Sequence, residues 1–226
     1  MSIWLRTVQR GQLMKILFGL PSATGHWPGD VFTNILSQRT EHDTEILRKE
    51  GQQIVKARDQ ICRFAVDNGF THVYMQDDDN TVAPGTLNKL IEHDKDIIGV
   101  PIMQRGQDVN TCVLKKVPDD RHPEIMRYEK IAADKLKGKE LIEVDGIGFG
   151  AILIKVEVLE KLYKIYPNPF QQMAKSKITD TEFSIYPMGE DISFCIYAKR
   201  EGFDIWCDCS VSTIHYGRPQ EHKYEG

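Results

Sequence analysis

Long apolar runs, surplus positive charge and cysteines in disulfide numbers are all missing from this 226-residue sequence. No stretch of about 18 consecutive apolar residues occurs, so no segment reads as a bilayer-crossing helix. The opening MSIWLRTVQRGQL has no continuous apolar core ahead of a small-residue cleavage site and does not read as a secretory signal. Residues 1–13 read as an N-terminal extension ahead of the first strand. A formal net charge of −4 leaves no basic surplus for tracking a phosphate backbone, so a nucleic-acid polymer is not an expected partner. The five cysteines, at 62, 112, 195, 207 and 209, are odd in number and scattered, unlike a disulfide framework. A reducing, cytoplasmic location is expected. Cys207 and Cys209 share a strand face, but zinc needs four ligands and no second pair stands at suitable spacing, so both read as core residues. Internal repeats, low-complexity linkers and composition breaks are absent too. What is present, 41% hydrophobic and 27% charged residues, is ordinary for a globular chain with a packed core. The length fits a single α/β domain.

KILFGL at 15–20 is an apolar run stopped by Pro21, Ser22 and Gly25, as expected of a buried strand ending in a loop. Residues 51–68 carry Ile54, Val55, Ile61, Ala65 and Val66 near a 3.6-residue period, with Gly69 as a stop, and predict an amphipathic helix. THVYMQ at 71–76 is a strand that runs into Asp77, Asp78 and Asp79. After Pro84, GTLNKLIEH predicts a helix and DIIGVP at 96–101 a strand. This alternation argues for a Rossmann-like domain with a mostly parallel central sheet. TCVLKKV, ELIEVDG and GAILIKV predict further strands without intervening helices, so a small antiparallel part is expected in the C-terminal half. The Lys-rich stretch 118–139 reads as a loop or partly helical insertion. VEVLEKLY and EDISFCIYAKREG predict helices, and DIWCDCSVSTIHY short strands.

Three adjacent carboxylates repel one another unless a cation or strong donors compensate. Here an apolar strand delivers them to the carboxyl edge of the sheet, where ligands of such folds collect, and the 21–25 loop falls there too. Carboxylate oxygens suit Mg2+ or Mn2+, which complete their shells with water and substrate phosphates. A pyrophosphate ester is a natural substrate for such a set. Glu190 and Asp191 open a helix, whose dipole favours their ionised forms. An ionised carboxylate can take the proton of an attacking hydroxyl. His215, in STIHYG, offers an imidazole of the kind that binds Mn2+.

YMQDDDNTVAPGTLNKLIEHDKDIIGVP resembles the segment around the D-x-D motif of family 2-like glycosyltransferases, enzymes of the A-type nucleotide-diphospho-sugar fold. AR at 57–58 is similar to the family's Ala-Arg-Asn segment, with Asp59 where the family carries Asn. VDGIGFGAILIKVEVLEKL at 144–162 resembles its glycine-rich acceptor segment. GEDISFCIYAKREGFDIWCDCSVSTIHYG at 189–217 resembles its Glu-Asp helix followed by a strand and a histidine. The resemblance covers 14–217, with 14–101 as the nucleotide-binding half, 102–217 as the acceptor half and 218–226 as a C-terminal tail. It implies transfer of a sugar from a nucleotide-diphosphate donor to a carbohydrate or other hydroxyl acceptor, with Mn2+ or Mg2+. By resemblance Asp191 is the base and Glu190 binds the acceptor. Asp77, Asp79 and His215 are implied for the metal, while Asp77 and Asp78, with Arg58, face the donor. Pro21, Ser22 and Ala23 cradle the nucleotide, and Gly148, Phe149 and Gly150 line the acceptor side.

Two other readings stay open. QDDDNTV also satisfies the D-x-D-x-T nucleophile motif of haloacid-dehalogenase-like phosphatases, with Asp77 taking the phosphoryl group, although that motif normally closes the first strand of its domain. A catalytically inactive sugar-nucleotide or glycan-binding module is the second. Arg105, just past the 96–101 strand, reads as an exposed loop arginine near the same edge.

Overall fold

The computed structural model describes residues 13–104, 109–120, 126–178, 183–216 and 221–225. Residues 1–12 of the expected extension, and Arg105, lie outside the described residues. The first half runs β1 (Lys15–Ser22), α1 (Gly29–Ser37), β2 (Asp43–Glu50), α2 (Ile54–Asp67), β3 (His72–Gln76), β4 (Asn80–Val82), α3 (Thr86–Glu92) and β5 (Ile97–Gly99). Next come β6 (Asn110–Pro118), β7 (Met126–Ala132), α4 (Ala133–Leu136), β8 (Leu141–Val144), β9 (Gly146–Ile147) and β10 (Ala151–Lys155). The chain continues through α5 (Val156–Ile165), β11 (Ala174–Ile178), β12 (Phe183–Pro187), α6 (Glu190–Arg200), β13 (Ile205–Asp208), β14 (Thr213–Tyr216) and β15 (Glu221–Tyr224).

Seven strands make the central sheet, in the order β2-β1-β3-β10-β5-β13-β8. β2, β1, β3, β5 and β13 point one way, while β10 and β8 run against them. The expected small antiparallel part is present as three small sheets, β11-β12, β15-β14-β4 and β7-β6-β9, built mostly from the C-terminal half, and β10 and β8 add antiparallel strands to the central sheet itself. Period-2 alternation feeds both faces. Leu17, Val73, Met75, Ile97, Ile152 and Ile154 join one core cluster with α2, α5 and α6 residues such as Ile61, Leu159 and Phe194. Ile16, Phe18, Tyr74, Ile98 and Leu153 join the other, with Val31 and Ile35 of α1 and Leu87 and Leu90 of α3. A three-layer α/β/α arrangement follows, because strands apolar on both faces must be covered on both.

α2 ends where the periodicity predicts, with Gly69 in the left-handed region at φ 66°. β2 has no apolar stripe; its residues are exposed or half-buried, and it holds its place as an edge strand through an eight-residue parallel register with β1. The stretch 118–139, expected to be a loop or partly helical insertion, does carry the short helix α4, and the unexpected element in it is β7, which pairs antiparallel with β6. The expected C-terminal tail carries β15, which pairs with β14 and buries Tyr224. Among the described residues, no helix is long and apolar enough to cross a membrane.

Candidate active site

The central position of β10 builds the site. Running against β3, it sets Ala151 opposite Gln76, so the preceding glycines arrive beside the aspartate run. The Asp77 N–H donates to the Gly150 carbonyl at 3.2 Å. On the other side, β14 pairs with β4 and the Tyr216 N–H donates to the Asp79 carbonyl at 2.8 Å, which brings His215 alongside. A cavity of about 230 Å3 opens between these elements and the first turn of α6. Asp77, Asp79, Asp191, His215, Gly148, Phe149 and Gly150 all line it, joined by Asn80, Ile102 and Cys112. The two glycines are required by space: a Cβ at Gly148 would lie 2.7 Å from the Cys112 Cβ, and one at Gly150 2.8 Å from the Ile102 side chain.

The three aspartates have three different partners. Asp77 accepts from Arg58 Nη2 with both oxygens, at 2.8 and 3.0 Å. Arg58 Nη1 donates to Glu190, so one guanidinium ties β3 to the start of α6. Arg58 is 3% exposed and sits 5.3 Å from the Phe149 ring centroid, behind the cavity wall rather than in it. The side chains expected to bind donor (Arg58) and acceptor (Glu190) engage each other, and neither lines the cavity. The Arg58 contact also argues against Asp77 as a metal ligand, since the adjoining guanidinium charge opposes a cation there, and against Asp77 as a free phosphoryl acceptor. Asp78 accepts a hydrogen bond from the Ser22 hydroxyl, whose oxygen accepts the Gly25 N–H at 2.8 Å. That pair joins the loop after β1 to the run. Pro21, expected in the loop, is buried within β1, and Ala23 is exposed just past its end; both lie outside the cavity lining.

Asp79 faces His215, with Oδ2 and Nε2 3.4 Å apart. His215 Nδ1 lies 2.7 Å from the Met103 carbonyl. A carbonyl only accepts, so Nδ1 carries a proton, and whenever the ring is neutral Nε2 offers its lone pair on the Asp79 side. A carboxylate oxygen and an imidazole lone pair facing each other suit a divalent cation, and a backbone carbonyl orienting a ligand histidine is the usual supporting contact. The pair therefore fits Mn2+ or Mg2+. Among the described residues, no group of three or more His, Cys, Asp or Glu side chains converges on such a point.

Burial pushes the Asp191 carboxyl above the ordinary carboxylate range, against the pull of Arg58. The helix-dipole expectation of a lowered value is thus overturned by desolvation, although Asp191 Oδ1 does accept the Ile192 N–H at 2.7 Å. Asp77 is pushed up by burial as well, again opposed by Arg58. Cys112 is a neutral wall: burial pushes its thiol up to about 11.

No protein-family model matches the chain, and no curated protein matches it. Among solved structures it is similar to A197 from STIV, known from a crystal structure, with a TM-score of 0.54 and 16% identity over 91% of this chain and 86% of that one. The shared property is a mixed α/β fold. Of the lining residues not expected, Asn80 adjoins the aspartate run and had a signal in its position. Cys112 and Ile102 had none, since only the β6–β9 pairing and the turn after β5 bring them in.

Proposed function

We propose that the protein is a metal-dependent glycosyltransferase that moves a sugar from a nucleotide-diphosphate donor to a hydroxyl acceptor. The observation that carries the reading is the convergence of Asp79, His215 and Asp191, more than 100 residues apart in sequence between Asp79 and Asp191, on one cavity at the sheet's carboxyl edge. Asp79 and His215 would hold Mn2+ or Mg2+, which supplies charge neutralisation for a departing diphosphate. Asp191 takes the proton from the acceptor hydroxyl. As it does, the acceptor oxygen bonds to the anomeric carbon and the bond from that carbon to the diphosphate oxygen breaks, the electron pair leaving with the diphosphate. A carboxyl held above its ordinary range by burial is better matched to that proton than an exposed one. Arg58 positions both Asp77 and the turn carrying Asp191, while Ser22 and Asp78 extend the site toward the donor nucleotide. Gly148 and Gly150 leave bare backbone on the acceptor side.

The reading is tested by thermal shift with UDP, GDP, CDP, ADP or dTDP in the presence of MnCl2. One of them is expected to raise the melting temperature of the wild-type protein and to fail with Asp79→Ala. Absence of stabilisation by every diphosphate, or stabilisation indifferent to Asp79→Ala, overturns it. Slow Mn2+-dependent hydrolysis of the matching sugar nucleotide, lost in Asp191→Asn, separates an enzyme from an inactive binding module.

A further inference from the structure

Asn80 is 2% exposed, and its side chain stands between the aspartate run and the histidine strand. Its Nδ2 donates to Asp79 Oδ1 at 2.7 Å. A carboxylate oxygen only accepts, so this contact fixes which end of the amide faces Asp79. The main chain of Asn80 is satisfied: its N–H donates to the Asp77 carbonyl at 3.4 Å, and its carbonyl accepts from Gln76 Nε2 at 2.8 Å. Its Oδ1 is buried and has no hydrogen-bond partner among the described residues. Such an oxygen carries its full desolvation cost, and native structures keep few of them, each calling for a completing group such as a bound water or ion.

The strand register says which ligand. Asn80 lies directly opposite His215 in the antiparallel β4–β14 pair. Directly opposed residues project from the same face with their Cβ atoms about 4.5–5.5 Å apart. Asp79, Asn80 and His215 all line the cavity. The nearby donors are already engaged, since Gln76 Nε2 serves Asn34 Oδ1 and the Asn80 carbonyl while His215 Nδ1 serves Met103. A cation asks only for lone pairs, and an amide oxygen is a hard donor of the kind Mn2+ and Mg2+ take.

Resting on the cation site proposed above, we infer that Asn80 Oδ1 is a third protein ligand to the ion held by Asp79 and His215. One carboxylate, one amide oxygen and one imidazole form a set of low charge that leaves the remaining positions to substrate phosphates and water. The imidazole tilts the set toward Mn2+ over Mg2+.

The test is titration of Mn2+ alone into the protein, with free ion read by its electron paramagnetic resonance signal, for wild type, Asp79→Ala, His215→Ala, Asn80→Ala and Asn80→Asp. Asn80→Ala is expected to weaken binding by about tenfold or more, and Asn80→Asp, which keeps an oxygen at that point, to bind at least as tightly as wild type. Wild-type affinity in Asn80→Ala, alongside weakening in the other two alanine variants, overturns the role of Asn80 and leaves the cation site standing. Asn80→Asp as weak as Asn80→Ala also overturns it, assigning Asn80 only the task of orienting Asp79 through Nδ2. Failure of the wild-type protein to bind Mn2+, or binding indifferent to Asp79→Ala and His215→Ala, removes the cation site itself. If Asn80→Ala does not give a cooperative melting transition, Asn80→Ser carries the same comparison.

Discussion

Asp191 combines burial with the base role proposed for it, and folding bears the cost. Its unfolded reference value is 3.8 and burial raises it in the folded protein. The folded state therefore binds the proton more tightly than the unfolded state, so any stability from this group is fully present below the unfolded value and is lost as pH rises through the folded one. Asp191→Asn mimics the protonated form. Calorimetry without metal is expected to show a higher melting temperature than wild type at pH 7 and no difference near pH 3.5, while donor turnover falls by about 10²–10⁴-fold. A variant that melts earlier at pH 7 would mean that the carboxylate is held by stronger favourable contacts than Arg58 and the Ile192 N–H. His72, on β3, works with the opposite sign. Burial, reinforced by the charge of Lys155, lowers its value from 6.5 to about 4. Its contribution is complete above the unfolded value and disappears as pH falls from 6.5 toward 4, so His72→Gln is expected to flatten the acid limb of a stability-against-pH curve in that window.

At the scale of elements, the Arg58 guanidinium is what keeps α2, β3 and α6 in mutual register around the cavity. Phe149 packs beside it, and Phe170 and Phe194 pack with Phe149, with ring centroids 4.9–6.1 Å apart. Arg58→Met leaves the carboxylates of Asp77 and Glu190 without their partner, and urea denaturation is expected to show a loss of about 3–5 kcal/mol. Adding Glu190→Gln to that variant should restore part of the loss; no recovery would mean that packing against Phe149, not charge, dominates. This tie could not be read from the sequence, since Arg58 and Glu190 are 132 positions apart and nothing local links them. The elements with apolar periodicity were legible: β1, α2, β3, α3, β5, α5 and α6 fall where alternation or a 3.6-residue repeat puts them. β2 and β7 were not, because an exposed edge strand and a Lys-rich hairpin strand lack the stripe that burial imposes.

For the whole molecule, the sheet order matters more than any single strand. A segment after Gly150 was legible as a strand, but its insertion between β3 and β5 depends on long-range pairing, and that insertion carries Gly148 and Gly150 to the aspartates. Cavity-lining residues with distinctive chemistry (Asp79, Asp191, His215) were legible for that reason, whereas Ile102 and Cys112 are unremarkable in sequence and enter only through topology. The end of the described chain belongs to the same assembly. Tyr224 is 3% exposed and its hydroxyl donates to the Cys209 carbonyl at 2.7 Å. Tyr224→Phe is expected to cost about 1 kcal/mol in denaturant unfolding. Deleting residues 221–226 should cost more and should speed amide exchange at Ile214 and His215, whose strand loses its β15 neighbour. Unchanged exchange there would mean that β4 alone holds β14.

The bridge made by Arg58 also bears on descent. A lineage that replaces Arg58 with a neutral side chain strands two acids in the interior, and one that neutralises both acids strands the guanidinium. Positions 58, 77 and 190 are therefore expected to change together or not at all among divergent copies, a covarying triplet that would persist even where the cavity had been turned to a different ligand.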